Sequence, residues 1–295
     1  MSSTLESSQS RVLPEETQIH ALEEYSFSDE AAHLIGDDAP GTEIVYHDGI
    51  DGIWRGVKEG GYGVIPVENS SGNVVWAHLD RLRRDAVRIA AEANVKVRMM
   101  AGGVRGACLD QVTDVHSHQK GLDQCQTFIA DRLPSGVHQH AVPSTAAAAR
   151  EVSRLENPRH IALSSPLAIK NFGLHELSPH AADLPPDENI TQFLLIHSNP
   201  ENHLPFPDAL RHVAIITPEN ERGVLNRILQ IVANARVDLV SLHSRSIGPK
   251  KYCFYVEMER QGTPIEFDLM AQMLKANPSI QDIKWLGSWD RHYEN

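Results

Sequence analysis

The sequence predicts an α/β fold followed by a small module with the ferredoxin-like order of elements. Over the first two-thirds of the 295 residues, short apolar runs alternate with helical stretches, which is the pattern of α/β units. The last third instead reads β-α-β-β-α-β, the ferredoxin-like order. The chain is long enough for two domains, each of which can bury a core of its own.

Polar residues follow several of the predicted strands in the first part. We expect strands over 62–67, 95–100, 138–142, 160–163 and 193–196. Ser144 or Thr145 can cap a helix over 146–155, and the strand 160–163 leads into a capped helix at Ser164-Ser165-Pro166. In open α/β sheets ligands bind at the carboxyl ends of strands. These polar strand ends are therefore candidate site residues.

A passage rich in Pro and Asn, residues 197–207, separates the two parts and predicts an interdomain linker. Beyond it we expect strands over 213–217, 238–246, 252–258 and 280–286, with helices over 222–235 and 266–276. Before the first predicted strand, residues 1–17 read as a disordered tail.

Composition and charge exclude several classes of function. With 41% hydrophobic and 22% charged residues the chain has the composition of a globular protein, and no apolar run approaches the roughly 18 residues of a membrane span. The first residues lack a basic start followed by an apolar core, so we expect no secretory signal. The formal net charge of −12 repels phosphate backbones and anionic membranes. We therefore expect no nucleic-acid or membrane partner.

Cysteine and histidine usage predicts neither disulfides nor a metal. Cys108, Cys125 and Cys253 are widely spaced, which indicates a reducing cytoplasm and no thiolate zinc site. His116 and His118 have no third ligand nearby in the sequence, so a hydrogen-bonded or surface role is expected of them. We expect no metal and no cofactor.

Motifs spread along the chain, in order, resemble those of the prephenate dehydratase family, and the resemblance covers roughly residues 20–290. Residues 63–70 read Gly-Val-Ile-Pro-Val-Glu-Asn-Ser, and residues 118–125 read His-Gln-Lys-Gly-Leu-Asp-Gln-Cys, with Gly121 where the family carries Ala. Residues 144–149 read Ser-Thr-Ala-Ala-Ala-Ala, and residues 189–193 read Asn-Ile-Thr-Gln-Phe. In the second part, Gly223-Val224-Leu225 and Ser244-Arg245 resemble the phenylalanine-binding motifs of an ACT domain.

The resemblance implies a domain plan and a set of partners. It implies a two-lobed, periplasmic-binding-protein-like α/β catalytic domain over 18–199, a linker over 200–210 and a regulatory ACT domain over 211–290. The substrate it implies is prephenate, and L-phenylalanine is expected at the ACT domain. The expected assembly is a homodimer or homotetramer, because an ACT-like sheet exposes an edge that can pair.

The resemblance also implies the roles of individual residues. Thr191 is expected to be catalytic. The expected substrate-binding residues are Ser26, Glu68, Asn69, Ser70, Ser144, Thr145, Gln192 and Phe193. The expected phenylalanine-binding residues are Gly223, Val224, Leu225, Ser244 and Arg245.

The residue types suit the implied chemistry. In dehydration of prephenate, carbon dioxide leaves, its electron pair passes through the diene and the ring hydroxyl is expelled, giving phenylpyruvate. The protein must bind two carboxylates, exclude water and donate a hydrogen bond to the departing oxygen. A neutral hydroxyl such as that of Thr191 suits the donor role, and Ser144 with free amides at a helix start suits carboxylate binding. Read without the resemblance, Ser144 and Thr145 are a helix cap and residues 68–70 a polar turn.

Departures from the motifs keep two alternatives open. Gln192 replaces an arginine, residues 22–28 (Leu-Glu-Glu-Tyr-Ser-Phe-Ser) replace a glycine-containing opening, and His243 and Ser246 alter the ACT motif. A non-aromatising prephenate decarboxylase, which keeps the ring hydroxyl, is one alternative. A sensor of aromatic acids without catalysis is the other.

Overall fold

The computed structural model describes residues 13–14, 16–71, 73–198, 205–290 and 292–295. Its chain divides into two compact units. The first unit contains Met1–Asn73, Ala93–Phe193 and Tyr293–Asn295, and the second contains Val74–Glu92 and Leu194–His292. Most of the predicted tail and residues 200–204 of the predicted linker lie outside the described residues.

The strands of the described residues are numbered in chain order. They are β1 (Gln18–Leu22), β2 (Glu43–His47), β3 (Tyr62–Asn69), β4 (Asn73–Val74), β5 (Val87–Lys96), β6 (Met100–Gly103), β7 (Asp114–His118), β8 (His138–Val142), β9 (His160–Ser164), β10 (His175–Ser178), β11 (Ile190–Ser198), β12 (Arg211–Pro218), β13 (Val237–Gly248), β14 (Lys251–Arg260), β15 (Ile280–Trp289) and β16 (His292–Glu294).

The α-helices of the same residues are also numbered in chain order. They are α1 (Phe27–Gly36), α2 (Ile50–Lys58), α3 (Trp76–Arg84), α4 (Gln119–Asp123), α5 (Gln126–Arg132), α6 (Thr145–Leu155), α7 (Pro166–Asn171), α8 (Val224–Asn234) and α9 (Pro264–Ala276). None of these helices is long and apolar enough to cross a membrane.

The first unit is built on two sheets, as expected for a two-lobed α/β domain. In one sheet, β1 pairs in parallel with β2 on one side and with β3 on the other. The other sheet has the order β10-β6-β9-β7-β8, in which β7 is parallel to β8 and β9 while β6 is antiparallel to β9 and β10. The expectation of a two-lobed α/β fold is confirmed.

Helix α6 shows why the sequence forms the second of these lobes. The helix contains a run of alanines, and alanine has the highest helix propensity of any residue type. Ser144 caps the helix by accepting a hydrogen bond from the Ala147 amide at 2.8 Å. The small side chains let α6 pack closely on β9 and α7, where Val152, Ala162 and Ile169 join the same apolar cluster. The predicted helix over 146–155 is confirmed.

The second unit contains the predicted β-α-β-β-α-β module. Its strands have the order β13-β14-β12-β15, with β12 antiparallel to both neighbours. Helices α8 and α9 bury Ile228, Val232, Phe267 and Leu274 in the core of this unit. Thr263 and Glu266 form a capping box at the start of α9, which satisfies two backbone amides.

Two parts of the predicted organisation differ from the structure. Residues 95–100 were predicted as one strand, but β5 ends at Lys96 and β6 begins at Met100. The apolar alternation there reflects burial of Val97 and Met99 in the connection between two strands. The other difference is that Val74–Glu92, expected within the catalytic domain, clusters with the second unit. There Asp80 of α3 pairs with Arg245 of β13 at 2.6 Å.

Candidate active site

A network of neutral side chains joins the end of β3 to the start of β11. The amide nitrogen of Asn69 donates to Oδ1 of Asn189 at 2.9 Å and to Oγ1 of Thr191 at 3.0 Å. Its carbonyl oxygen accepts from the Ser71 amide and hydroxyl, at 2.9 Å and 2.5 Å, and from Nε2 of Gln124 at 3.3 Å. Asn69 is buried and uses both ends of its amide, so it holds the Thr191 hydroxyl in a fixed position.

This network determines what the Thr191 hydroxyl can do. One lone pair of Oγ1 accepts from Asn69, and the hydroxyl hydrogen has no acceptor among the described residues. Thr191 as a whole residue is half-buried. The geometry therefore leaves a positioned neutral donor, as the predicted role of Thr191 requires.

A cavity of about 330 Å³ lies beside the network. Its lining includes Ser71, Lys120, Gln124 and Asn189. Nδ2 of Asn189 is buried without a hydrogen-bond partner among the described residues, although Oδ1 of the same amide accepts from Asn69. This unpaired donor belongs to a residue of the cavity wall but is itself shielded from solvent. Gln124 and Asn189 lie in two of the motifs that resemble the family's, without a role predicted for either, and the structure adds them to the site.

Ser70 joins the end of β3 to the start of β11 through hydrogen bonds to backbone groups. Its hydroxyl donates to the Glu188 carbonyl at 2.5 Å and accepts from the Ile190 amide at 2.9 Å. Its own amide donates to the Ile190 carbonyl at 2.8 Å. Ser70 thus positions the strand that carries Thr191, and a direct contact with substrate stays a prediction.

The other residues predicted around Thr191 lie on the same two strands. Successive side chains of a strand project from opposite faces, so Gln192 and Thr191 face opposite sides of β11. Phe193 is buried in the core, and Glu68 is half-buried next to Asn69 on β3. Of the residues predicted here, the structure thus brings together Asn69, Ser70 and Thr191.

Ser144 contacts a carboxylate that the chain itself supplies. Its hydroxyl donates to Oε2 of Glu23 at 2.5 Å, and Oε1 of Glu23 is paired with the guanidinium of Arg150. Glu23 belongs to the segment between β1 and α1 that departs from the glycine-containing motif. The segment thus loses glycines and gains a carboxylate that contacts Ser144.

The same segment is held in place by further hydrogen bonds. Tyr25, in the segment that replaces the glycine-containing opening, has a φ of 66°, a left-handed conformation that glycine adopts readily. Its amide donates to the Asp29 carboxylate at 2.8 Å, and its carbonyl accepts from the Ser165 hydroxyl at 2.9 Å. A tyrosine thus adopts here a backbone conformation that favours glycine.

Ser26 and Thr145 form hydrogen bonds at the starts of helices α1 and α6. Ser26 is buried and caps α1 by accepting from the Asp29 amide at 3.3 Å. Thr145 is the first residue of α6, and its carbonyl accepts from the Ser164 hydroxyl at 2.7 Å. The predicted binding roles of both residues stay predictions.

A steric reason explains why Gly121 stands where the family carries alanine. A Cβ atom at this position would lie 2.5 Å from Oγ of Ser117 and 3.1 Å from Cε of Met99. Ser117 is fully buried and donates to the Leu163 carbonyl at 2.7 Å. The glycine therefore leaves the space that this buried hydroxyl needs.

His116 belongs to a stacked group of three histidines in the second lobe. Its ring lies 4.5 Å from that of His140 and 5.3 Å from that of His160, measured between centroids. Asp114 accepts from Thr113 and contacts His140 at 2.7 Å, and these hydrogen bonds lower its pKa to about 2. Burial, followed by the neighbouring imidazoles, lowers the pKa of His116. The described residues include no group of three or more ligands arranged to hold a metal ion.

In the second unit, the residues predicted to bind phenylalanine fall into separate groups. Gly223 has a φ of +72° and precedes α8, where Val224 and Leu225 pack against the core. Arg245 donates to both carboxylate oxygens of Asp80, at 3.2 Å and 2.6 Å, and its guanidinium lies 5.0 Å from the centre of the Trp76 ring. Ser244, its neighbour on β13, is exposed and projects from the opposite face.

Comparison with known proteins identifies relatives of this chain. Residues 23–201 match the family model described as prephenate dehydratase. A bifunctional chorismate mutase/prephenate dehydratase of Pseudomonas aeruginosa is 29% identical over 249 residues, which cover 82% of this chain and 65% of that protein. An arogenate dehydratase/prephenate dehydratase of Arabidopsis thaliana is 29% identical over 209 residues, covering 66% of this chain and 53% of the plant protein. The chain thus spans about half to two-thirds of the length of these relatives.

Solved structures share the fold. The prephenate dehydratase of Arthrobacter aurescens in complex with L-Phe superposes with a TM-score of 0.74 at 22% identity, covering 93% of this chain and 90% of that one. GqqA, described as a novel type of quorum quenching acylase, superposes with a TM-score of 0.75 at 20% identity, covering 94% and 98%. Proteins described by different reactions therefore share this fold.

Proposed function

The chain belongs to the prephenate dehydratase family, and from that premise we propose that it eliminates carbon dioxide and water from prephenate to give phenylpyruvate. This reaction is a step of L-phenylalanine biosynthesis and makes the protein a carbon–oxygen lyase. As the ring carboxylate leaves, its electron pair enters the diene and the carbon–oxygen bond of the ring hydroxyl breaks. Aromatisation of the ring drives the reaction.

The observation that carries this proposal is the hydrogen bond from Asn69 to Thr191. It fixes the Thr191 oxygen and leaves its hydrogen for the departing hydroxyl, which gains negative charge as the bond breaks. The donors around it are neutral, so they stabilise that charge without a prior proton transfer. Gln124 and Asn189 add two neutral amide side chains to the wall of the cavity.

Product analysis tests the proposal. The protein is incubated with prephenate, and the product is identified by absorbance and mass. Phenylpyruvate, with release of carbon dioxide and water, is the expected result. Unchanged prephenate at saturating protein would contradict it and would favour the sensor function.

A prephenate decarboxylase that keeps the ring hydroxyl is the second candidate. It is favoured by the carboxylate of Glu23 and by the neutral Gln192, both of which depart from the family motifs. In that reaction the electron pair left by carbon dioxide is captured by a proton at a ring carbon, and the carbon–oxygen bond stays intact. A product that retains the hydroxyl oxygen identifies this reaction in the same assay.

We further propose that residues 211–290 form a regulatory ACT domain that binds L-phenylalanine. The structural neighbour from Arthrobacter aurescens is a complex with L-Phe, which supports this. Gly223 leaves space for a ligand near the start of α8, whereas Arg245 is already paired with Asp80. We therefore expect binding to depend on Gly223 more than on Arg245. Calorimetric titration of the whole chain with L-phenylalanine measures it, and the absence of heat would oppose a regulatory role.

A further inference from the structure

Glu23 occupies a position where the sequence predicts an external anion. Its carboxylate accepts from the Ser144 hydroxyl at 2.5 Å and is paired with Arg150. The side chain is only 17% exposed, so the contact is largely shielded from solvent. Ser144 is one of the residues that the family resemblance assigns to substrate binding. The chain thus places a carboxylate of its own on a predicted ligand of the substrate.

The Ser144 hydroxyl has no second hydrogen to offer. It has one O–H donor, which points to Glu23, while its oxygen accepts from the Ala147 amide at 2.8 Å. A ligand carboxylate could receive a hydrogen bond from Ser144 only if Glu23 gave up its own. The two carboxylates therefore exclude each other at this atom.

The charges of the adjoining cavity act in the same direction. The cavity has a volume of about 370 Å³, and its charged lining residues are Glu23, Asp48, Arg150, Glu151 and Arg154. Two guanidinium groups thus face three carboxylates, so the wall carries a formal charge of −1 when all are ionised. Removing the charge of Glu23 makes the wall neutral, which reduces its repulsion of an anion.

We propose that Glu23 is an internal carboxylate that competes with the substrate's carboxylate for Ser144 and Arg150, and so sets the affinity for anionic substrates. Because Glu23 is tethered by the chain, its effective concentration at Ser144 is on the order of millimolar or higher. An external carboxylate must displace it, which raises the concentration of substrate needed for binding. The identity of the ligand and the binding role of Ser144 rest on the proposed function, whereas the exclusion of a second carboxylate from the Ser144 hydroxyl rests on the contacts of Glu23.

The test is the variant Glu23→Gln in the whole chain. It keeps a hydrogen-bonding side chain of the same size but removes the charge that pairs with Arg150. We expect the Michaelis constant for prephenate to fall about tenfold, the size of one charge-assisted hydrogen bond, with no change of product. Glu24→Gln is the matched control, because the neighbouring Glu24 is exposed and the same charge is removed. Glu23→Ala should shift the Michaelis constant in the same direction if glutamine itself disturbs folding.

A Michaelis constant for Glu23→Gln that is unchanged or raised would overturn the proposal, because Glu23 would then position Ser144 rather than compete with substrate. Equilibrium binding separates this from failure of the proposed reaction. If the wild type does not turn over prephenate, calorimetric titration with prephenate is compared between the two proteins. Tighter binding by Glu23→Gln supports competition even then, and equal, weaker or undetectable binding rejects it.

Discussion

The side-chain amide of Asn69 donates a hydrogen bond to the hydroxyl of Thr191 across 3.0 Å, although the two residues are 122 positions apart in the chain. One end of β3 and one end of β11 are thereby joined through their side chains. The bond orients the threonine oxygen and leaves its hydrogen to a ligand. This relationship gives the first prediction.

Replacing Thr191 by valine should remove the donor while keeping the shape of the side chain. Loss of a contact that forms in the transition state is typically worth about 2.7–4 kcal/mol, or roughly 100- to 1,000-fold in kcat. Thr191→Ser retains the hydroxyl and should retain most of the rate. Steady-state kinetics with prephenate measures both variants, and normal turnover by Thr191→Val would mean that another residue is the donor.

A methyl group at Gly121 should destabilise the first unit. Because a Cβ there would lie 2.5 Å from Oγ of Ser117, Gly121→Ala is expected to lower the unfolding free energy by about 1–3 kcal/mol. Urea denaturation measures the change. In a Ser117→Ala background the same substitution should cost much less, because the clashing oxygen is gone. Equal costs in the two backgrounds would show that the clash is not the cause.

The unfolding free energy should fall as the pH is lowered from 6.5 towards 4, because of His212. This imidazole is fully buried, donates to the Ala209 carbonyl at 2.9 Å and stacks on Phe267, and burial lowers its pKa to about 4. The unfolded chain therefore binds a proton that the native state does not, so the stability present above pH 6.5 is lost on acidification. Between pH 7 and 5 the loss from this group is about 2 kcal/mol.

His212→Asn is the variant that checks this assignment. It should be less stable than the wild type at pH 7 but should show a shallower dependence of unfolding free energy on pH. NMR titration of the imidazole proton gives the pKa of His212 directly. A value near 6.5, or identical pH slopes for the two proteins, would exclude His212 as the source.

The expected oligomer should depend on β13, the edge strand of the second unit. Among the described residues β13 has only β14 as a neighbour, and Val240 and Leu242 are exposed on it. Leu242→Lys should therefore shift a dimer towards a 32.7 kDa monomer in sedimentation at micromolar concentration. Ile265→Lys is the matched control, since Ile265 is 80% exposed and belongs to α9, not to the edge strand. Dissociation by the control alone would place the interface on α9.

The elements that the sequence predicts correctly are those whose signals are local. Alanine content and the Ser144 cap define α6. The β-α-β-β-α-β module is defined by the spacing of its apolar residues, which changes between the pattern of a strand and that of a helix. The strand predicted over 95–100 was wrong, because alternation of burial also arises where a chain crosses between sheets. The start of β6 at Met100 depends on pairing with β9, which a short window does not contain.

The candidate site could be predicted in its residue types but not in its contacts. Motif order identified Asn69 and Thr191, whereas their hydrogen bond depends on the folding of the whole first unit. The contacts of Glu23 could not be predicted from its own segment, because the loss of the glycines does not determine what the replacing side chain contacts. Its partners, Ser144 and Arg150, lie more than a hundred residues away and are visible only in three dimensions.

The second unit is made of two separate stretches of the chain, and this has a consequence during synthesis. Its residues Val74–Glu92 leave the ribosome before Ala93–Phe193, whereas the rest of the unit begins only at Leu194. At a translation rate of about 5–20 residues per second, this interval lasts roughly 5–20 s. During that time α3, in which Leu79 and Leu82 are buried in the finished protein, lacks its contacts with the side chains of Arg245 and Lys284. A nascent chain stalled within this interval should be the species most dependent on chaperones.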